Sequence, residues 1–76
     1  MTELERRAWA EEGARLRARA DGLTALAKQG HSEAVRLQER RPEEAKLCRE
    51  SAEWQEACAK VAAAFAEQCR QKAETP

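Results

Sequence analysis

A chain of 76 residues and 8.6 kDa allows one domain. More than half of its hydrophobic share is alanine, 17 residues, leaving six Leu, two Val, two Trp, one Phe and one Met as large apolar side chains. With fourteen basic residues against fourteen acidic ones, these figures exclude a large enclosed active site, a multidomain enzyme, a membrane span of ~20 apolar residues and a net field that steers the chain to nucleic acid or an anionic membrane.

Thr2-Glu3-Leu4-Glu5 fits a capping box and starts a helix over about residues 3–29. The same start has no basic segment followed by an apolar stretch, so no secretory signal is read and a cytoplasmic location is expected. Gly13 and Gly22 each weaken that helix by ~1 kcal/mol relative to Ala. Gly30-His31-Ser32 reads as a stop followed by a new N-cap, and residues 32–40 as a short second helix. Arg41-Pro42-Glu43-Glu44 restarts the pattern, with proline at the first helical position and two carboxylates in the first turn. The third helix runs over about 43–73. No segment alternates with period two, and the β-branched residues are only Thr2, Thr24, Val35, Val61 and Thr75. The expected fold is therefore all-α: one domain over 1–76, an antiparallel hairpin of two long helices with a short helix across its tip. Because short chains draw only ~3–5 kcal/mol from a core, oligomerisation or a partner helix is expected to complete it.

Periodicity suggests how the hairpin closes. Trp9, Gly13, Leu16, Ala20, Leu23 and Ala27 follow a 4-3-4-3-4 spacing, as do Leu47, Ser51, Trp54, Cys58, Val61 and Phe65. Such stripes are coiled-coil seams. Folding the chain so that facing residue numbers sum to 74 pairs large with small side chains in five of six layers, Leu16 with Cys58 and Ala20 with Trp54 among them, and sets Trp9 against Phe65 in the sixth. A shift of seven residues also gives tolerable layers; the register of 74 is preferred because its midpoint, residue 37, falls inside the 30–42 break.

A second stripe on the third helix is rotated about a quarter turn from this seam. Ala45, Cys48, Ala52, Gln55, Ala59, Ala62, Ala66 and Cys69 have alternating heptad spacing, which Ala73 continues. These small side chains are the candidate partner-binding residues, since the short second helix spans too little length to cover them. The bland alternative is that alanine simply fills an exposed helix as its best former.

The remaining polar groups form no reactive constellation. Cys48 and Cys58 have a nine-residue gap that resembles the twin CX9C hairpins of mitochondria, but the first helix has no second cysteine pair. On one helix, Cys48, Cys58 and Cys69 stand ~15 Å and ~16 Å apart, too far for a disulfide or a shared zinc. His31 lies in the expected turn, and the adjacent carboxylates Glu11/Glu12 and Glu43/Glu44 point in different directions. No catalytic site, metal, cofactor or small-molecule substrate is expected.

In size and hairpin layout, with Pro42-Glu43-Glu44 after the turn, the chain resembles the small co-chaperones of type III secretion needle subunits; it carries no motif diagnostic of them. Ten Arg among fourteen bases, with abundant Ala, suit a GC-rich bacterial or phage genome. The expected function is a small non-enzymatic protein–protein interaction module, such as an adaptor, a co-chaperone or a phage or bacterial antagonist. It would bind another protein or itself, as a homodimer, through the small-residue face. The alternative is a homo-oligomeric structural component of a helical bundle. A third reading, weak nucleic-acid binding, rests on Arg15, Arg17, Arg19, Arg36, Arg40 and Arg41.

Overall fold

The computed structural model describes residues 1–76, folded as two long antiparallel helices, α1 over Glu3–Leu37 and α2 over Pro42–Glu74. Thr2 caps α1, its hydroxyl accepting from the Glu5 amide at 3.1 Å and donating to the Glu5 carboxylate. At the other end Pro42 forces the break. A proline ring clashes with the carbonyl four residues back and drives its predecessor out of helical geometry, and Arg41 accordingly sits at φ −136° and ψ 67°. Pro42 then opens α2, with Glu43 and Glu44 in its first turn.

The expected stop at Gly30-His31-Ser32 does not occur. Residues 32–37 continue α1 rather than forming a short helix across the tip, and no glycine has positive φ. Gly30 is there for packing. A methyl group at its position would lie 3.1 Å from the Ala52 Cβ and 3.4 Å from the Cys48 carbonyl oxygen. A methyl group at Gly13 would likewise lie 3.3 Å from the Cys69 Cβ and 3.4 Å from the Ala66 carbonyl oxygen. Both glycines let α2 lie directly against the α1 backbone.

These contacts fix the register. Gly13 faces Cys69 and Gly30 faces Ala52, pairs whose numbers sum to 82, while Trp9 and Lys72 sum to 81. The hairpin is thus displaced by about one heptad from the expected register of 74, because the turn lies at Gln38–Arg41 instead of around residue 37. The seam itself is made of small side chains: Ala20, Ala27 and Ala34 of α1 against Ala45, Ala52, Ala59, Ala62, Ala66 and Cys69 of α2. Its Cα envelope measures 58 × 13 × 11 Å. Subtracting the ~2.3 Å helix radius on each side leaves about 8 Å between axes, the close end of helix packing.

Seven ion pairs are local to one helix and one links the two. Arg15, Arg36 and Arg70 chelate Glu12, Glu33 and Glu67 one turn earlier, and Arg70 also reaches Glu74 at 2.6 Å. Arg6–Glu3, Arg41–Glu44 and Lys46–Glu50 are looser, at 3.4–3.9 Å. His31 with Glu56 is the pair that crosses the seam. All are exposed, so each contributes ~0–1 kcal/mol.

Two outcomes should follow. Gly22 has nothing within 4 Å of a built Cβ, so Gly22→Ala should raise stability by ~0.5–1 kcal/mol. Gly30→Ala should gain less or lose stability, because its methyl presses on Ala52. Urea unfolding compares them, and equal gains would show that the helices are not in close contact at Gly30. The second outcome concerns acid. Hydrogen bonds from Arg15, Arg36 and Arg70 hold the carboxyls of Glu12, Glu33 and Glu67 below the usual range. Depressed carboxylates stabilise the folded chain fully above their unfolded pKa of ~4.3, and the contribution is lost as pH falls through the lower folded values. A circular-dichroism titration should therefore show helix loss in that acid window, smaller in a Glu12→Gln, Glu33→Gln, Glu67→Gln variant.

Candidate interaction face

The α2 stripe expected to meet a partner is covered by the chain's own α1. Ala45 and Ala52 are fully buried, Ala59, Ala62, Ala66 and Cys69 nearly so, and Cys48 and Gln55 half-buried. The expectation that the two-helix fold leaves these residues free is corrected: they are the hairpin seam. The physical reason is geometric. A row of methyl groups lets two backbones approach closely along the whole length of both helices, which a row containing tryptophan and phenylalanine does not.

The two α2 stripes have therefore exchanged roles. Leu47, Trp54, Val61 and Phe65, expected in the seam, are exposed, Trp54 by 71% and Phe65 by 52%. On α1 the expected stripe does face the seam: Ala20 and Ala27 are buried, and Trp9, Gly13, Leu16 and Leu23 are half-buried at its edge. At 100° per residue, the buried alanines and the Trp54–Val61–Phe65 row lie roughly a third of a turn apart on α2. One neighbouring helix cannot cover both.

What results is one apolar face of the hairpin. A groove of about 380 Å³ is lined by Leu16 and Arg19 from α1 and by Trp54, Ala57, Cys58, Val61, Ala62 and Phe65 from α2. An adjoining groove of about 390 Å³ shares Leu16 and Phe65 and extends past Gln68 and Cys69 to Trp9 and Lys72. There the Lys72 ammonium stands 4.3 Å from the Trp9 ring centroid, a cation–π contact that tethers the ends of the two helices. The opposite face is polar, with Arg17, Asp21, Glu56, Lys60, Glu67 and Arg70 along its shallow grooves. The hairpin as a whole is amphipathic, apolar on one broad side and charged on the other.

Of the other sequence candidates, Cys58, Cys69 and Arg19 line the grooves of this face, and the rest lie apart from it or are engaged locally. Cys48 and Cys58 are half-buried and Cys69 is buried in the seam, all as free thiols. His31 is within helix α1 rather than in a turn, paired with Glu56 on the polar side. The arginine clusters are divided: Arg15 and Arg36 are held by Glu12 and Glu33, Arg41 by Glu44, and Arg17 and Arg19 line grooves on opposite faces. Leu26 and Leu47 were missed as members of an exposed surface, although each carries a long apolar side chain that is about half or more exposed. The signal for the face was the width of the α2 apolar arc, which exceeds what a single partner helix can bury.

No helix is long and apolar enough to cross a membrane. Compared with protein-family models, curated proteins and solved structures, the chain matches none.

The seam assignment has a direct consequence for substitution at its centre. Ala59→Arg places a guanidinium where the α1 backbone now lies and should cost at least ~2 kcal/mol. Ala64→Arg, at an exposed position of the same helix, should change stability by less than ~0.5 kcal/mol. Thermal melts followed at the helical band compare the two, and an unperturbed Ala59→Arg would contradict the seam.

Proposed function

We propose that the chain is a protein–protein interaction module that works by docking helices on the apolar face built from Trp9, Leu16, Leu23, Trp54, Val61 and Phe65. The observation that carries this reading is the exposure of Leu47, Trp54, Val61 and Phe65 along one row of α2 while only alanine and cysteine are buried. Soluble chains rarely leave a broad contiguous apolar patch uncovered unless it is an interaction surface, and aromatic anchors are the residues that dominate such contacts. Adaptor, co-chaperone and antagonist roles all use a surface of this kind, and the action is binding rather than catalysis. The role once assigned to the alanine stripe passes to the row beside it. Three free thiols suit a reducing compartment, so the proposed location is cytoplasmic. A structural role within a homo-oligomeric bundle uses the same face and differs only in what covers it.

Trp54 reports on this reading directly. In a Trp9→Phe background it is the sole indole, and a docking face has two observable states. Covered, Trp54 emits at short wavelength and resists acrylamide quenching. Uncovered, the face takes up a hydrophobic dye, and a Phe65→Ser substitution reduces that uptake. Water-like, freely quenched Trp54 emission together with no dye uptake would sink the proposal.

A further inference from the structure

The pattern of the exposed α2 row indicates what covers it. Resting on the docking reading above, we propose that the occupant is a second copy of the chain, packed face to face with the tips of the two hairpins at opposite ends. In this four-helix bundle α2 of one copy lies antiparallel on α2 of the other. Residues 47, 51, 54, 58, 61, 65, 68 and 72 are spaced 4-3-4-3-4-3-4, the same in either direction, with the midpoint between Ala59 and Lys60. Turned end for end, Trp54 meets Phe65, Cys58 meets Val61 and Ser51 meets Gln68. Aromatic thus pairs with aromatic, small apolar with small apolar, and polar with polar. Only the outer layer pairs unlike residues, and there the Lys72 stem can lie along Leu47 while its ammonium stays over the Trp9 ring. A two-fold contact requires such self-complementarity, since each residue pair occurs twice about the axis.

Area and charge agree with this occupant. The chain exposes 5870 Å², whereas a compact folded monomer of its mass exposes ~4,700 Å², so a two-helix rod 58 Å long has area that pairing can cover. From Leu47 to Lys72 the row is ~37 Å long, and two adjacent helices are ~20 Å wide. Face-to-face pairing therefore covers ~700 Å² per copy, within the range of stable interfaces when both copies are counted. A formal net charge of zero removes bulk repulsion between copies. The hairpin also has no fully buried large side chain, so the cover is needed by the fold itself, and a second copy is present wherever the chain is made.

Light scattering of the purified chain at tens of micromolar should return twice its 8.6 kDa mass. Val61→Asp, one layer from the axis, should abolish the pair, while Lys60→Asp on the polar face should retain it. Because loss of folding would mimic the first result, orientation is read separately by cross-linking with a short bismaleimide. One variant keeps only Cys58 (Cys48→Ser, Cys69→Ala) and another has Leu47→Cys on the exposed row as its sole thiol (Cys48→Ser, Cys58→Ala, Cys69→Ala). Antiparallel pairing places the two Cys58 residues ~4.5 Å apart along the bundle and the two residues at position 47 ~37 Å apart. The first variant should therefore give a covalent dimer and the second none. Equal linking in both would mean a parallel pair and overturn the proposal. A chain that is monomeric at every concentration but takes up hydrophobic dye overturns the second copy and leaves the docking reading standing. A dimer that survives Val61→Asp and links through neither thiol overturns both.

Discussion

The close approach of α1 and α2 along their alanines is the constraint on which everything else depends. A methyl group at Gly13 or Gly30 would lie 3.3 Å from the Cys69 Cβ or 3.1 Å from the Ala52 Cβ, so the gap between the helices has no volume for a leucine, much less an indole. Every large side chain must stand beside the seam or away from it. The half-buried positions of Leu16 and Leu23 and the exposure of Trp54, Val61 and Phe65 are consequences of that single fact. Gly30 matters for the same reason: its missing side chain serves contact with α2, while the φ freedom usually associated with glycine is unused.

Much of this architecture is legible in the residues before any coordinates. The Thr2 cap, the proline start of α2, the absence of strands and the seam-facing stripe of α1 all follow from local chemistry that tertiary packing does not override. The misreading of Gly30-His31-Ser32 arose because a stop signal and a close-contact glycine look identical in one dimension. Moving the turn from residue 37 to Gln38–Arg41 then shifted the register by a heptad, and a heptad repeat gives acceptable layers at either setting. Local pattern specified which residues share a face. It did not specify how far along the partner helix each layer sits.

The candidate face was harder to place, since both α2 stripes satisfy the same spacing rule. Pairing large with small is sound for a core closed on all sides, and applied to this chain it put Trp54 opposite Ala20. A two-helix hairpin is open on both sides, so the rule does not apply in that form. The useful signal was that α2 has apolar residues over an arc wider than one neighbour covers, whereas α1 has Glu12 and Arg19 at the outer edge of its stripe. That asymmetry leaves α2 with the longer exposed apolar row.

Why alanine inside and tryptophan outside is the better arrangement follows from counting layers. If the large side chains filled the seam, the axes would be forced apart, the alanine stripe would be left bare, and neither row would be packed densely. With alanine inside, both helices present their large side chains on the same side, where Leu16 and Phe65 already belong to two adjoining grooves. The hairpin then behaves as one prefabricated layer, apolar on one side and charged on the other. Domains bury such a face against a second layer. The seam settles how α1 and α2 lie together, and on the proposed docking reading further stabilisation of so thin a pair comes from what is laid across Trp54, Val61 and Phe65.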